Sequence, residues 1–271
     1  VTDDTPGRPV QDGAAPADIL VTEVFSAIQG EAALVGERQI FVRLTGCNIR
    51  CGYCDQPEAL ERRPGPCQVE GTPGRRDWTH RSSPLPIADV TAAVDSLNGR
   101  LPHHSVSLTG GEPLMQSSRT AELVRQLADR GHDVMLETNG TLVAALARTL
   151  PWVRYVSMDL KLTSVDGAGV RPETQRRFLR TALASAATTT WVKVVVGADT
   201  DADEFDRAVD MVASAGDDTA RPEVFLQPVT PFGTVDRPPS PEQVLELQER
   251  ALRRYPRVRV IPQTHKAIGQ L

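Results

Sequence analysis

The stretch 46–56, GCNIRCGYCDQ, places Cys47, Cys51 and Cys54 at spacings of four and three residues in a chain with one further cysteine, Cys67. It follows directly on QIFVRLT (39–45), a run of β-branched and aromatic residues that reads as a strand. Similar β-rich runs stand at 104–110 (HSVSLTG), 133–138 (DVMLET), 153–160 (VRYVSMDL), 190–197 (TWVKVVVG), 223–229 (EVFLQPV) and 257–262 (RVRVIP). Between them lie segments such as TAELVRQLADRG and PEQVLELQERALRRY, apolar at i, i+3, i+4 and i+7, as one buried helical face requires. That alternation predicts an α/β fold with parallel strands joined by crossover helices. Seven strands fall short of a complete eight-unit barrel, so a partial (β/α) barrel is expected ahead of an open Rossmann-like sheet. Ser240 and Pro241 mark a helix start, and Gly131 after Arg130 marks a stop. The segment ILVTEVFSAIQG (19–30) predicts a strand or hairpin beside the first unit.

The chain has 271 residues, 40% of them hydrophobic, enough for a buried core. Residues 1–18 are rich in Pro, Gly, Asp and Ala and predict a disordered tail, leaving 19–271 as one domain. Residues 58–86 carry prolines, glycines and clustered arginines without sustained periodicity, which predicts a long insertion loop serving as surface or lid. A membrane span and a basic-then-apolar leader are both missing from the pattern, so a cytoplasmic protein is expected. A net charge of −5 with both signs mixed gives no basic stripe for nucleic acid.

Three interpretations compete for the cysteines, which sit after the first barrel strand, where such folds carry their active sites. A disulfide set suits neither the odd number nor an intracellular chain. A structural zinc would need a fourth ligand such as Cys67. An iron–sulfur cluster held by three thiolates would leave one iron free for another ligand. Spacing alone leaves zinc and cluster level.

The surrounding words go further. C-x3-C-x2-C with Tyr53 before the last cysteine resembles the signature of the radical S-adenosylmethionine (SAM) superfamily, as do TGGEP (109–113), ETNG (137–140), SMDLK (157–161) and LQP (226–228) at later strand ends. The resemblance implies a partial (β/α)6-type TIM barrel, with an N-terminal strand extension and an insertion after the cluster loop. It assigns Cys47, Cys51 and Cys54 to a [4Fe–4S] cluster. Tyr53, Gly110, Gly111, Glu112, Glu137, Asn139, Ser157, Asp159, Lys161 and Gln227 go to SAM, with Glu112 gripping its ammonium group.

Upstream, FSAIQGEAALVGERQIFVRLTGCNIRC is similar to the opening of 7-carboxy-7-deazaguanine synthases, a likeness continued in TGGEPLMQ, ETNGT, VKVVV, LQPV and PQTHK. It implies a lyase that converts 6-carboxy-5,6,7,8-tetrahydropterin to 7-carboxy-7-deazaguanine, in 7-deazapurine or queuosine biosynthesis, by hydrogen abstraction, ring contraction and loss of ammonia. SAM would be regenerated. Arg43 and His265 would take the substrate carboxylate, Gln29 and Glu31 its pterin edge, and Thr109 would join them. An electron donor such as a flavodoxin or ferredoxin is implied as partner, and a homodimer is expected as the commonest oligomer.

The chain also departs from that pattern. Family members often carry Thr after the aspartate, helping to hold Mg²⁺; here Asp55 is followed by Gln56, which can offer only a neutral carbonyl. Ala32 stands where Gly is usual, and Cys67 in the insertion reads as a partly buried thiol. Two other readings therefore stay open: the same scaffold acting on another small heterocycle or carboxylate, and a zinc-stabilised binding module using all four cysteines.

Overall fold

The computed structural model describes residues 17–216 and 221–270. The predicted tail lies outside them as far as residue 16; Asp18, at its end, belongs to the two-residue strand β1 (Asp18–Ile19). β2 (Val21–Ile28) runs antiparallel to β3 (Arg38–Leu44), with Phe25 opposite Phe41, so the strand expected in 19–30 forms and makes a hairpin with the first barrel strand.

The insertion is where expectation and structure part. Residues 58–86 form an antiparallel hairpin, β4 (Gly65–Glu70) and β5 (Trp78–Ser83), followed by β6 (Leu85–Pro86), which pairs with β1. β4 lies parallel to β2 and extends the sheet at the edge away from the later barrel strands; no part of β4 or β5 walls the cavity described below. The clustered arginines lie in the connections, Arg62 and Arg63 ahead of β4 and Arg75 and Arg76 in the turn, while β5 is a mostly exposed polar edge strand carrying Arg81, a charge that discourages further pairing. Buried Glu70 closes the structure by accepting from the amides of Ser26 and Arg76, each at 2.9 Å.

The repeating units follow: α1 (Ile87–Arg100), β7 (Ser105–Gly110), α2 (Ser117–Asp129), β8 (Val134–Thr138), α3 (Val143–Thr149), β9 (Tyr155–Leu160), α4 (Thr163–Asp166), α5 (Pro172–Leu183), β10 (Thr189–Val196), α6 (Ala202–Ala215), β11 (Glu223–Pro228), α7 (Pro241–Leu252), β12 (Val258–Val260) and α8 (Thr264–Ala267). All seven predicted strands are present. From β3 through β7, β8, β9, β10 and β11 to β12, neighbours are parallel and follow chain order. That order has no reversal, so the topological switch point of a Rossmann sheet is lacking and the arrangement is that of a barrel left open.

Strand parity separates two interiors. One set of side chains, among them Val42, Leu108, Leu136, Val156, Val194 and Leu226, packs with Val94, Leu123, Leu127, Phe178 and Phe205 from the helices into the main core. The alternate set faces the barrel lumen, where Met135, Trp191 and Phe225 form a smaller cluster with Ala32 at its base. α7 begins where Ser240 and Pro241 mark a helix start, and the structure adds a capping box: Ser240 Oγ accepts from Gln243 N at 3.2 Å and Gln243 Oε1 from Ser240 N at 2.8 Å. Gly131, with φ +85°, ends α2 as expected.

Candidate active site at the carboxyl ends of the strands

The cysteine loop is held by backbone on both sides. Gly46 N donates to Ala59 O at 2.7 Å and Cys47 N to Leu60 O at 3.0 Å, while Gly46 O accepts from Glu112 N at 2.7 Å. This approach explains the paired glycines at the end of β7: a Cβ on Gly110 would stand 2.1 Å from Leu44 O, and one on Gly111 2.3 Å from Gly46 O. Further along, Gly52 N donates to Asp166 O at 2.8 Å and Gly52 O accepts from Thr234 N at 3.0 Å. Cys47, Cys51 and Cys54 all open into one cavity of about 270 Å³ at the carboxyl ends of the strands. Burial raises the thiols of Cys47 and Cys51, the latter to about 11, with Lys161 opposing the rise in both. Cys67 has no share in this. It lies on β4, wholly buried in the core opposite Arg81, so the four-cysteine zinc site is not formed and the thiol is fully rather than partly buried.

Every residue given a site role from the sequence lines that cavity except Glu112 and Ser157. Glu112 is fully buried beneath it, accepting from Leu114 N (3.0 Å), Thr138 Oγ1 (2.9 and 3.1 Å) and Asn139 N (2.7 Å). It ties β7 to β8 and holds Asn139, whose Nδ2 lies 3.9 Å from Cys47 Sγ and 3.0 Å from Asn48 Oδ1. Burial pushes the Glu112 carboxyl up to about 7. Ser157 faces the lumen by parity but lies two residues deeper than Asp159, level with Trp191, and is covered.

Two lysines and three carboxylates organise the floor. Lys161 Nζ donates to Asp159 and to the Tyr53 hydroxyl, each at 3.1 Å, and stands 5.1 Å from the centre of the Tyr53 ring. Lys193 is ion-paired with Glu31 and, at 3.0 Å, with Asp159. Burial would raise Asp159, but Lys161 and Lys193 together hold it below the usual carboxylate range. Glu31 also accepts from Gln263 Nε2 at 2.8 Å and Gln227 Nε2 at 3.4 Å. Glu137 differs: its donors Gln29 Nε2 (2.9 Å), Ser107 Oγ (3.0 Å) and Thr109 Oγ1 (3.0 Å) are neutral, and burial raises it. These bonds join Glu137 to Gln29 and Thr109.

At the rim Arg43 points into the cavity while paired with Glu23 at 3.2 Å, its guanidinium 5.8 Å from the centre of the Phe25 ring. His265 packs against Gly30 so closely that a Cβ there would stand 2.0 Å from its Nδ1, and burial lowers its pKa. Thr264 anchors that turn through N (2.9 Å) and Oγ1 (3.0 Å) to Gly30 O. Ala32 has φ +52°, which explains why glycine would suit the position. Asp55 is engaged by Lys266 at 2.9 Å, and Gln56 lines the wall beside them. Lys193, Gln263 and Lys266 were missed as site residues. For Lys193 the signal was available: a charge inside the otherwise apolar run VKVVV needs a buried partner.

Comparison with known proteins agrees with this geometry. The model of the radical SAM superfamily matches residues 41–212. The 7-carboxy-7-deazaguanine synthase of Geobacter sulfurreducens is 40% identical over 252 residues, spanning 92% of this chain and 96% of that protein. The enzyme of that name from Methanothermobacter thermautotrophicus is 32% identical over 269 residues, with 92% and 96% covered. Among solved structures, QueE from Escherichia coli superposes with a TM-score of 0.60 at 21% identity, over 91% of this chain and 94% of that one, a likeness of fold. The family model spans more than half of the chain and the full-length identity narrows the placement: this chain belongs to the radical SAM superfamily and, within it, to the 7-carboxy-7-deazaguanine synthase family.

Proposed function

We infer that the chain is a radical SAM lyase converting 6-carboxy-5,6,7,8-tetrahydropterin to 7-carboxy-7-deazaguanine and ammonia, a step of 7-deazapurine biosynthesis. One observation carries the reading: three thiols open into the same cavity as part-buried carboxylates and buried amides and lysines suited to a pterin acid. The donor set fits a [4Fe–4S] cluster held by Cys47, Cys51 and Cys54 with one iron left for SAM. The lining fits ligands too, for the buried Gln227 Oε1 in its wall has no protein partner. When bound, cluster and SAM supply one-electron chemistry that removes a hydrogen atom from carbon six of the substrate.

The chain's own residues do the rest. Tyr53, Gly110, Gly111, Asn139, Asp159, Lys161 and Gln227 hold SAM in this reading, while Glu112 supports them from below. Arg43 and His265 take the substrate carboxylate. Gln29, Glu31 and Thr109 hold the pterin edge, and we move Glu137 to that group because its hydrogen bonds run to Gln29 and Thr109. Enclosure of these groups keeps water from the radical.

Mg²⁺ fits less well. Asp55 is already paired with Lys266 at 2.9 Å, and Gln56 offers a single neutral oxygen. No step is assigned to that ion. Among the described residues no helix is long and apolar enough to cross a membrane. Free, closely spaced thiols suit a reducing compartment, so we place the protein in the cytoplasm, served by a flavodoxin or ferredoxin and assembled as a homodimer. Anaerobic turnover of the pterin with SAM and reductant, read by mass spectrometry, tests the reading; SAM cleavage without 7-carboxy-7-deazaguanine would point to another small substrate.

A further inference from the structure

One ammonium group joins the two halves of the cavity. Lys193 projects from the middle of β10 between core residues Val192 and Val194, almost wholly buried, and touches Glu31 on one side and Asp159 on the other. The two carboxylates are not equally dependent on it. Asp159 has a second cation in Lys161 at 3.1 Å. Glu31 has Lys193 as its only cation among the described residues, its other side-chain donors being the amides of Gln227 and Gln263. Removing the ammonium would therefore leave Asp159 paired and Glu31 without a cation in a largely but not fully buried position.

A partly buried carboxylate that loses its only cation is protonated more readily. Protonated, Glu31 would present an O–H where a heterocycle's ring N–H and exocyclic amine need an acceptor. We infer that Lys193 is a positioning residue that ion-pairs with Glu31 and keeps it aimed as the acceptor for the heterocycle's donor edge, and so couples SAM cleavage to productive hydrogen abstraction. The inference rests on the substrate reading given above. SAM is held from the Asp159–Lys161–Tyr53 side, which survives without Lys193, so the loss falls on the heterocycle and not on the cofactor.

The test compares cluster-loaded wild type with Lys193→Met, Lys193→Arg, Glu31→Gln and the Lys193→Met/Glu31→Gln pair. Product, 5′-deoxyadenosine and SAM affinity are measured from about pH 6 to 9. Charged or titratable groups facing Lys193 are Glu31 ahead of β3, Glu137 on β8, Asp159 on β9 and, more distantly, His265 on α8. Of these Glu31 alone loses its only touching cation. Lys193→Met is expected to keep SAM affinity within about threefold, lower product formation at neutral pH by about tenfold or more, and raise 5′-deoxyadenosine per product by a similar factor. Its product rate should recover as pH rises, with the acid limb displaced upward by about one unit or more. Lys193→Arg should restore coupling, and the double variant should be no slower than Glu31→Gln.

A Lys193→Met enzyme that loses SAM affinity and product in parallel at every pH overturns the inference in favour of a purely structural lysine. A double variant slower than Glu31→Gln by the full single-variant factor overturns it in favour of direct contact with substrate. If wild type makes no product while cleaving SAM, the substrate reading fails and takes the inference with it, an outcome told apart by the wild-type control.

Discussion

Replacing Glu112 by Gln separates a buried scaffold role from a SAM contact. The carboxylate uses one oxygen for Leu114 N and the other for Asn139 N, with Thr138 Oγ1 near both. Protonated or not, the carboxyl has two oxygens able to accept, whereas a carboxamide has one, so whichever way it turns an NH₂ faces one of the two buried backbone N–H groups. Leaving one such donor unsatisfied costs about 1–3 kcal/mol. For a domain of roughly this size each kcal/mol lowers Tm by about 2–4 °C, so Glu112→Gln should melt roughly 2–12 °C below wild type at pH 6. The difference should shrink at higher pH. Burial pushes Glu112 up to about 7, above its unfolded value, so its contribution is complete below the unfolded pKa and is lost as pH rises through about 7. The full loss is of the order of 3 kcal/mol, of which about 1–1.5 kcal/mol falls between pH 6 and 8, and Gln has no such titration. Anaerobic thermal unfolding by circular dichroism at pH 6 and 8, beside SAM titration calorimetry, reads both quantities. An unchanged Tm at pH 6 together with SAM affinity weakened more than tenfold would refute the reasoning and return Glu112 to the ligand.

Three further outcomes are expected. Cys67→Ser should keep the full iron content and visible absorption of the cluster, at a cost of about 1–2 kcal/mol for a hydroxyl placed in the core; colour lost in proportion to this change would make Cys67 a ligand. Gly30→Ala must displace His265, because the new methyl would meet its Nδ1 at 2.0 Å and its Cβ at 2.5 Å. Substrate KM should rise by about tenfold or more while substrate-free SAM cleavage is unchanged, an ångström-scale misplacement being worth up to about a hundredfold; an unaltered KM removes His265 from the substrate site. With Lys266 on Asp55 and Gln56 beside it, turnover should change less than about threefold between EDTA and millimolar Mg²⁺. A rise of tenfold or more on adding Mg²⁺ would show that Gln56 still serves a cation.

Periodicity made the barrel legible. Each strand from 39–45 to 257–262 is a β-rich run between helical patterns, and the structure differs only by a residue or two at most ends. The hairpin of 58–86 was hidden because β5, WTHRSS, is nearly all exposed and has no buried alternate face to produce a pattern. The cavity wall was legible through motifs at strand ends, and strand parity puts Arg43, Thr109, Glu137, Asp159 and Gln227 on the lumen side as those motifs require. Depth was not legible. Ser157 and Glu112 share motifs with residues that reach the cavity, yet one lies a layer down and the other is enclosed by Leu114, Thr138 and Asn139. Lys193 shows the opposite failure: its role depends on Glu31, far away in sequence, and only the folded sheet brings the pair together.

The central claim is hydrogen-atom removal from carbon six of a pterin acid held beside a three-cysteine cluster. Its most direct measurement uses 6-carboxy-5,6,7,8-tetrahydropterin deuterated at carbon six with cluster-loaded enzyme, SAM and reductant under anaerobic conditions. The account predicts deuterium in recovered SAM or 5′-deoxyadenosine alongside 7-carboxy-7-deazaguanine. Product formed with no deuterium in either molecule, or deuterated 5′-deoxyadenosine with no ring-contracted product, would contradict it.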